Sequence, residues 1–194
     1  RRVTAWQAGE AIYGAAASFQ TEEPGLDHHD PMPDAAPPEG LLSEAELVAR
    51  AASPGPWDRR SAERAVTICP VTPMDPGRPQ VREPHRQVWY RASDDLPGDQ
   101  RIHQRLLAFA SDSHFMTTSM QPHGVSWATP GIQCASLDHA MYFHRPFSFS
   151  DWLLYDVHSP SASGGRGLVR GSFFSRDGRL VASTFQEGLV RDRR

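Results

Sequence analysis

Asp138-His139, with His144 nearby, holds the side chains of an acid–base pair or of a set of metal ligands. The stretch around them reads as a strand, where successive side chains point to opposite faces, so Asp138 and His139 should not meet and are read as structural. His28-His29-Asp30 lies among prolines and lacks ligand spacing, so no metal site is expected there. Ser163 to Gly167 (SGGRG) is rich in glycine and carries one arginine. Its backbone N–H groups and the Arg166 guanidinium suit a phosphate, and a plain tight turn is the alternative. Cys69 and Cys134 stand far apart in no CxxC pattern, which argues against a disulfide framework or a zinc site and fits a reducing compartment. Asp112 follows an apolar stripe, where an aspartate by itself reads as a cap or a solvated turn. Gln186 is more notable, because an amide within an apolar strand needs partners once buried.

The elements that must position these groups are unevenly spread. Of 194 residues, 39% are hydrophobic and 17 are proline, so a sizeable part is expected outside any core. The net charge is −3, from 20 basic and 23 acidic residues, all the basic ones arginine. That balance offers no argument for a nucleic-acid partner or a charged membrane surface. No apolar run approaches the roughly 20 residues that span a bilayer. A cytoplasmic location is expected: no signal-peptide pattern follows Arg1, and the ending Arg191-Asp192-Arg193-Arg194 lacks the Ser-Lys-Leu that would favour a peroxisomal one.

Residues 1–20 read as a hairpin turning at Gly9, its second strand running from Ala11 to Phe19. Residues 21–42 carry Pro24, Pro31, Pro33, Pro37 and Pro38 among acidic residues and read as an irregular linker. Ser43 and Glu46 form a capping box opening a short helix to about Arg50. Trp57 to Glu63 is ambiguous. Val66, Ile68 and Val71 suggest a strand, as does Gln87 to Arg91. Ile102, Leu106, Leu107, Phe109 and Ala110 recur at helical spacing, predicting a broadly buried helix over 101–111. Strands are then predicted from Cys134 to Phe143, Trp152 to His158, Gly167 to Ser175 and Arg179 to Arg191, the last two joined at Asp177-Gly178. One helix followed by antiparallel strands implies an α+β fold with a sheet wrapped around the helix.

The first and last hairpins end alike, in Ala17-Ser18-Phe19-Gln20 and Ser183-Thr184-Phe185-Gln186. If this is a repeat, the first copy lacks the helix and strands that precede the second. The more specific strings follow: Ser111-Asp112-Ser113-His114-Phe115, Gln121-Pro122-His123-Gly124, Ser136-Leu137-Asp138-His139, His144-Arg145-Pro146-Phe147, Ser161-Ala162-Ser163-Gly164-Gly165-Arg166-Gly167 and Thr184-Phe185-Gln186-Glu187-Gly188. Together they resemble the C-terminal repeat of the type II acyl-CoA thioesterases, which are double hot-dog proteins. The resemblance implies a terminal hairpin of an incomplete first hot-dog at 1–20, a proline-rich linker with a short helix at 21–64, and a second hot-dog at 65–194. It also implies hydrolysis of medium- or long-chain fatty acyl-CoA to fatty acid and coenzyme A, no cofactor, and a homo-oligomer. The family's catalytic Asp, Ser or Thr, and Gln fall on Asp112, Ser136 and Gln186. Gly164, Gly165 and Arg166 would then approach the coenzyme A phosphates.

Those residue types suit the reaction. A thioester carbonyl is already electrophilic, so a positioned water matters more than a strong nucleophile. Asp112 would act as general base, Gln186 would orient the water without titrating, and Ser136 would bridge them. Two other functions compete. One is an inactive fragment or assembly module pairing through its sheet. The other is a hot-dog enoyl-CoA hydratase, for which Asp112 and His114 are a loose match.

Overall fold

The computed structural model describes residues 1–50 and 65–194; the ambiguous stretch Trp57 to Glu63 lies outside them. Strands β1 (Arg2–Gln7) and β2 (Glu10–Ala16) form a two-stranded sheet of their own. The expected turn is present, with Gly9 at a φ of +83°. This hairpin is poor in buried surface: Val3, Trp6, Ile12 and Tyr13 are all exposed.

Residues 21–42 are irregular apart from a single turn at Pro38–Gly40, but they do not lie outside every core. Met32, Ala35 and Leu41 pack on Cys69, Trp89, Leu154 and Phe174. Extended, proline-rich backbone leaves its carbonyls free to accept, and side chains of the sheet use them: Trp89 Nε1 donates to Ala36 O at 2.8 Å and Gln87 Nε2 to Asp34 O at 3.1 Å. Helix α1 (Glu44–Arg50) opens on the expected capping box, with Glu46 N donating to Ser43 Oγ at 3.2 Å and Ser43 N to Glu46 Oε2 at 2.8 Å.

Among the described residues the main sheet has seven antiparallel strands. They are β3 (Val66–Pro70), β4 (His85–Ala92), β5 (Ile132–Ser136), β6 (Ala140–Phe143), β7 (Leu153–Ser163), β8 (Arg166–Ser175) and β9 (Leu180–Asp192), in the order β3-β4-β7-β8-β9-β5, with β6 also on β9. Period-two alternation divides their side chains. Val88, Tyr90, Leu153, Tyr155, Val157, Val169 and Phe173 form the main core, while Trp89, Leu154 and Phe174 face the linker.

The predicted helix is present as α2 (Gln100–Ala110), capped by Asp99, whose carboxylate accepts from Arg101 N at 3.0 Å. Its buried stripe is narrower than expected: Leu107 and Ala110 are buried, but Phe109 is 73% exposed. Helix α2 enters the main core through Leu107 and Ala110, and a second helix, α3 (Phe115–Met120), where the sequence predicts none, packs on β7, β8 and β9. Its sequence, FMTTSM, has poor helix formers at its centre. Their hydroxyls are satisfied inside the helix: Thr117 and Thr118 donate to His114 O at 2.7 and 3.1 Å, and Ser119 to Met116 O at 2.8 Å. Small, internally bonded residues can then be buried against the sheet, which meets them with glycine. A Cβ on Gly167 would lie 2.6 Å from Ser119 Cβ, and one on Gly188 would collide with Met116.

The expected single strand from Cys134 to Phe143 is two strands, β5 and β6, both paired with β9. Between them Leu137 N and Asp138 N both donate to Glu187 O, at 3.0 and 3.3 Å, and Glu187 N donates back to Asp138 Oδ1 at 2.7 Å. The ladder is interrupted beside Gln186.

Candidate active site

Asp112 lies in the turn between α2 and α3, and the carbonyls on either side of it are held from below. Tyr155 Oη donates to Ser111 O at 3.0 Å and Tyr90 Oη to Ser113 O at 3.1 Å. Both tyrosines are fully buried, and Tyr155 stacks on Phe173 at 3.8 Å between ring centroids. Burial pushes the Tyr155 phenol well above its ordinary range, so it stays protonated and remains a donor. The core thus reaches the turn through two phenol hydroxyls. Replacing Tyr155 by Phe removes one of them and leaves the Ser111 carbonyl short of a partner. The expected loss is about 1–3 kcal/mol of stability, read from urea denaturation; an unchanged midpoint would show that this carbonyl does not depend on Tyr155.

The sheet supplies the rest. Gln186 is completely buried on β9, opposite Val169 of β8, and Ser136 closes β5, opposite Gly188. The three residues expected at the site are brought together: Gln186 Nε2 donates to Ser136 Oγ at 2.8 Å, and Ser136 Oγ donates to Asp112 Oδ1 at 3.4 Å. Gln186 is the floor, while Asp112 and Ser136 are exposed, so the constellation is open to solvent. A carboxylate, a hydroxyl and a non-titrating amide in series can deprotonate and orient a water.

His139, read from the sequence as structural, joins this group. Its Nδ1 lies 2.6 Å from Gln186 Oε1, and its Nε2 lies 2.9 Å from Ser111 Oγ. Alternation did separate it from Asp138, which caps Glu187 N on its own side. What alternation could not show is the partner across the break in the ladder. His144 is elsewhere, its Nε2 2.9 Å from Ser183 Oγ. Among the described residues, no three His, Cys, Asp or Glu side chains gather as metal ligands would. His114 caps α3 at a φ of +66° and sets its Nε2 2.8 Å from Glu44 Oε1.

Gly164 and Gly165 form the two-residue turn between β7 and β8, with φ of +57° and +73°, a conformation that glycine adopts without strain. Arg166 follows, its Nη1 3.5 Å from Glu187 Oε2. Cys69 and Cys134 are both free thiols, and burial raises the Cys69 thiol to about 11.

Comparison with known proteins is consistent along the chain. Residues 58–189 match the family model described as acyl-CoA thioesterase. The chain is 35% identical over 192 residues to acyl-CoA thioesterase 2 of Haemophilus influenzae, covering 97% of this chain and 67% of that protein. It is 35% identical over 202 residues to human acyl-coenzyme A thioesterase 8, covering 98% of this chain and 63% of that protein. Its structure superimposes on an acyl-CoA thioesterase II of Mycobacterium marinum with a TM-score of 0.77 and 40% identity, covering 98% of this chain and 67% of that one. The chain therefore spans about two thirds of the length of these relatives.

Proposed function

The chain belongs to the acyl-CoA thioesterase family, and on that premise we propose that it hydrolyses medium- or long-chain fatty acyl-CoA at Asp112, Ser136 and Gln186. Asp112 takes a proton from water as the water oxygen bonds to the thioester carbon. The carbonyl oxygen becomes an oxyanion, for which N–H donors at the site are worth roughly 3 kcal/mol each. Collapse of this intermediate breaks the C–S bond and expels the coenzyme A thiolate, which takes up the proton held on Asp112. The products are a free fatty acid and coenzyme A, and no cofactor takes part. Gln186 uses one N–H on Ser136, and its other N–H is the donor proposed for the water or the carbonyl oxygen. The observation that carries this reading is that buried amide, bonded to Ser136 at 2.8 Å and through it to the Asp112 carboxylate.

At the other end of the substrate, Gly164, Gly165 and Arg166 are the group proposed to meet the coenzyme A phosphates. Their backbone N–H groups and guanidinium suit anions, although Arg166 must then exchange Glu187 for phosphate. A homo-oligomer in the cytoplasm is the proposed setting, and the two free thiols fit a reducing compartment.

One observation favours a second reading. The hairpin of β1 and β2 presents Val3, Trp6, Ile12 and Tyr13 to solvent, as an element that works only when paired would do. The 194-residue chain, incubated with a medium-chain acyl-CoA, separates the possibilities. Thiol released in step with fatty acid supports hydrolysis. A parallel incubation with a medium-chain 2-enoyl-CoA, in which water adds across the C2=C3 bond to give 3-hydroxyacyl-CoA without released thiol, would indicate a hydratase. No turnover would favour an assembly role.

A further inference from the structure

We propose that His139 is a positioning residue, one that locks the orientation of the Gln186 amide and ties it to the segment bearing Asp112. The inference rests on the hydrolytic site proposed above. Gln186 Oε1 can only accept a hydrogen bond, so the imidazole nitrogen 2.6 Å from it, Nδ1, must carry a proton. That contact leaves Gln186 Nε2 facing Ser136 Oγ at 2.8 Å, and the Ser136 hydroxyl is then free to point its own proton at Asp112 Oδ1. Donors and acceptors therefore run in one direction, from imidazole through amide and hydroxyl to carboxylate. A flipped amide would set an N–H against the Nδ1 proton. It would also set an acceptor against Ser136, drawing the hydroxyl proton away from Asp112.

The other ring nitrogen extends the same function. His139 Nε2 lies 2.9 Å from Ser111 Oγ, the residue before Asp112, whose carbonyl is held by Tyr155; with the proton on Nδ1 the neutral ring accepts at Nε2, so the single Ser111 hydroxyl proton goes to the ring and not to Ala108 O, also 2.9 Å away. One imidazole thus spans the gap between strand β9 and the end of α2. Phe115 meets the ring edge-on, at 5.8 Å between centroids and 67° between planes. His139 follows the break in the ladder at 137–138 and is itself exposed, at the rim of the site, with both ring nitrogens turned to Gln186 and Ser111. Asp138 is engaged with Glu187 N and takes no part.

The experiment compares kcat and KM of the full chain toward a medium-chain acyl-CoA in the wild type and in His139→Leu, His139→Asn, Gln186→Ala and the double variant His139→Leu/Gln186→Ala. Thermal melting shows that each is folded. Asn offers an amide N–H close to where Nδ1 stood, and Leu fills the space without one. His139→Leu is expected to lower kcat by about 10- to 100-fold with little change in KM, as a misplaced catalytic group does. His139→Asn should recover most of that loss. In the Gln186→Ala background His139→Leu should cost nothing further. Equal losses in the Leu and Asn variants, or a full additional loss on top of Gln186→Ala, would overturn the proposal. A second measurement does not depend on turnover: 15N NMR of the ring, assigned by difference from His139→Asn, is expected to find a proton on Nδ1. A bare Nδ1 with the proton on Nε2 would overturn the amide lock whether or not the chain is active. Failure of the wild type to release thiol would overturn the hydrolytic reading alone, leaving the ring spectrum to decide on His139.

Discussion

Asp112→Asn is expected to lower kcat toward acyl-CoA by about 10²- to 10⁴-fold, the usual contribution of a positioned general base. That corresponds to roughly 3–5 kcal/mol of transition-state stabilisation. The substitution is nearly isosteric, and the new amide oxygen can still accept from Ser136 Oγ, which lies 3.4 Å from the carboxylate. What it loses is the ability to take a proton. Asp112 is exposed, so no buried charge or packing disappears with it, and stability should move by no more than about 0.5 kcal/mol. Steady-state kinetics of the folded variant check this. A turnover number near that of the wild type would show that the base is another group. A proportionate fall in stability would show instead that Asp112 holds its turn together, a role here assigned to Tyr90 and Tyr155.

Gly171→Ala should be the most destabilising of the small substitutions. Gly171 sits on β8 facing the core, opposite Thr184 of β9 and Val157 of β7. A single methyl there would lie 2.8 Å from both Thr184 Oγ1 and Tyr155 Cζ. Neither neighbour can yield. Tyr155 is stacked against Phe173 at 3.8 Å, and its hydroxyl is bonded to Ser111 O and to Thr184 at 3.0 and 2.8 Å. Overpacking costs about 1–3 kcal/mol, and a displaced Tyr155 would release the Ser111 carbonyl at a further cost of about 1–3 kcal/mol. The variant should unfold at clearly lower urea. Measured where it is still folded, it should also turn over more slowly, because the Asp112 turn loses its anchor. Gly14→Ala in the exposed hairpin is the control, since nothing lies within 4 Å of the added methyl. If the two variants unfold alike, the close packing of Gly171 on Tyr155 is not what holds this part of the core.

Local chemistry written in the sequence determined most of the elements. The box of Ser43 and Glu46, the stripe through Leu107 and Ala110, and the Asp177-Gly178 turn each report on neighbours a few residues away, and each is found in the structure. Asp112, Ser136 and Gln186 were picked out by resemblance to a family rather than by periodicity, which assigns no role to a lone aspartate after a helix. Three things only the tertiary structure decided. Helix α3 has polar, β-branched residues that hide its period, and it is stable because Ser119 and Met116 meet glycines of the sheet. The break between β5 and β6 depends on how Asp138 bonds to Glu187 across the ladder. His139 follows that break and gains its role from an amide far along the chain. A strand's own pattern says which face a side chain takes, but not what faces it from the next strand; that is set by register, and register exists only once the sheet has closed around its helix.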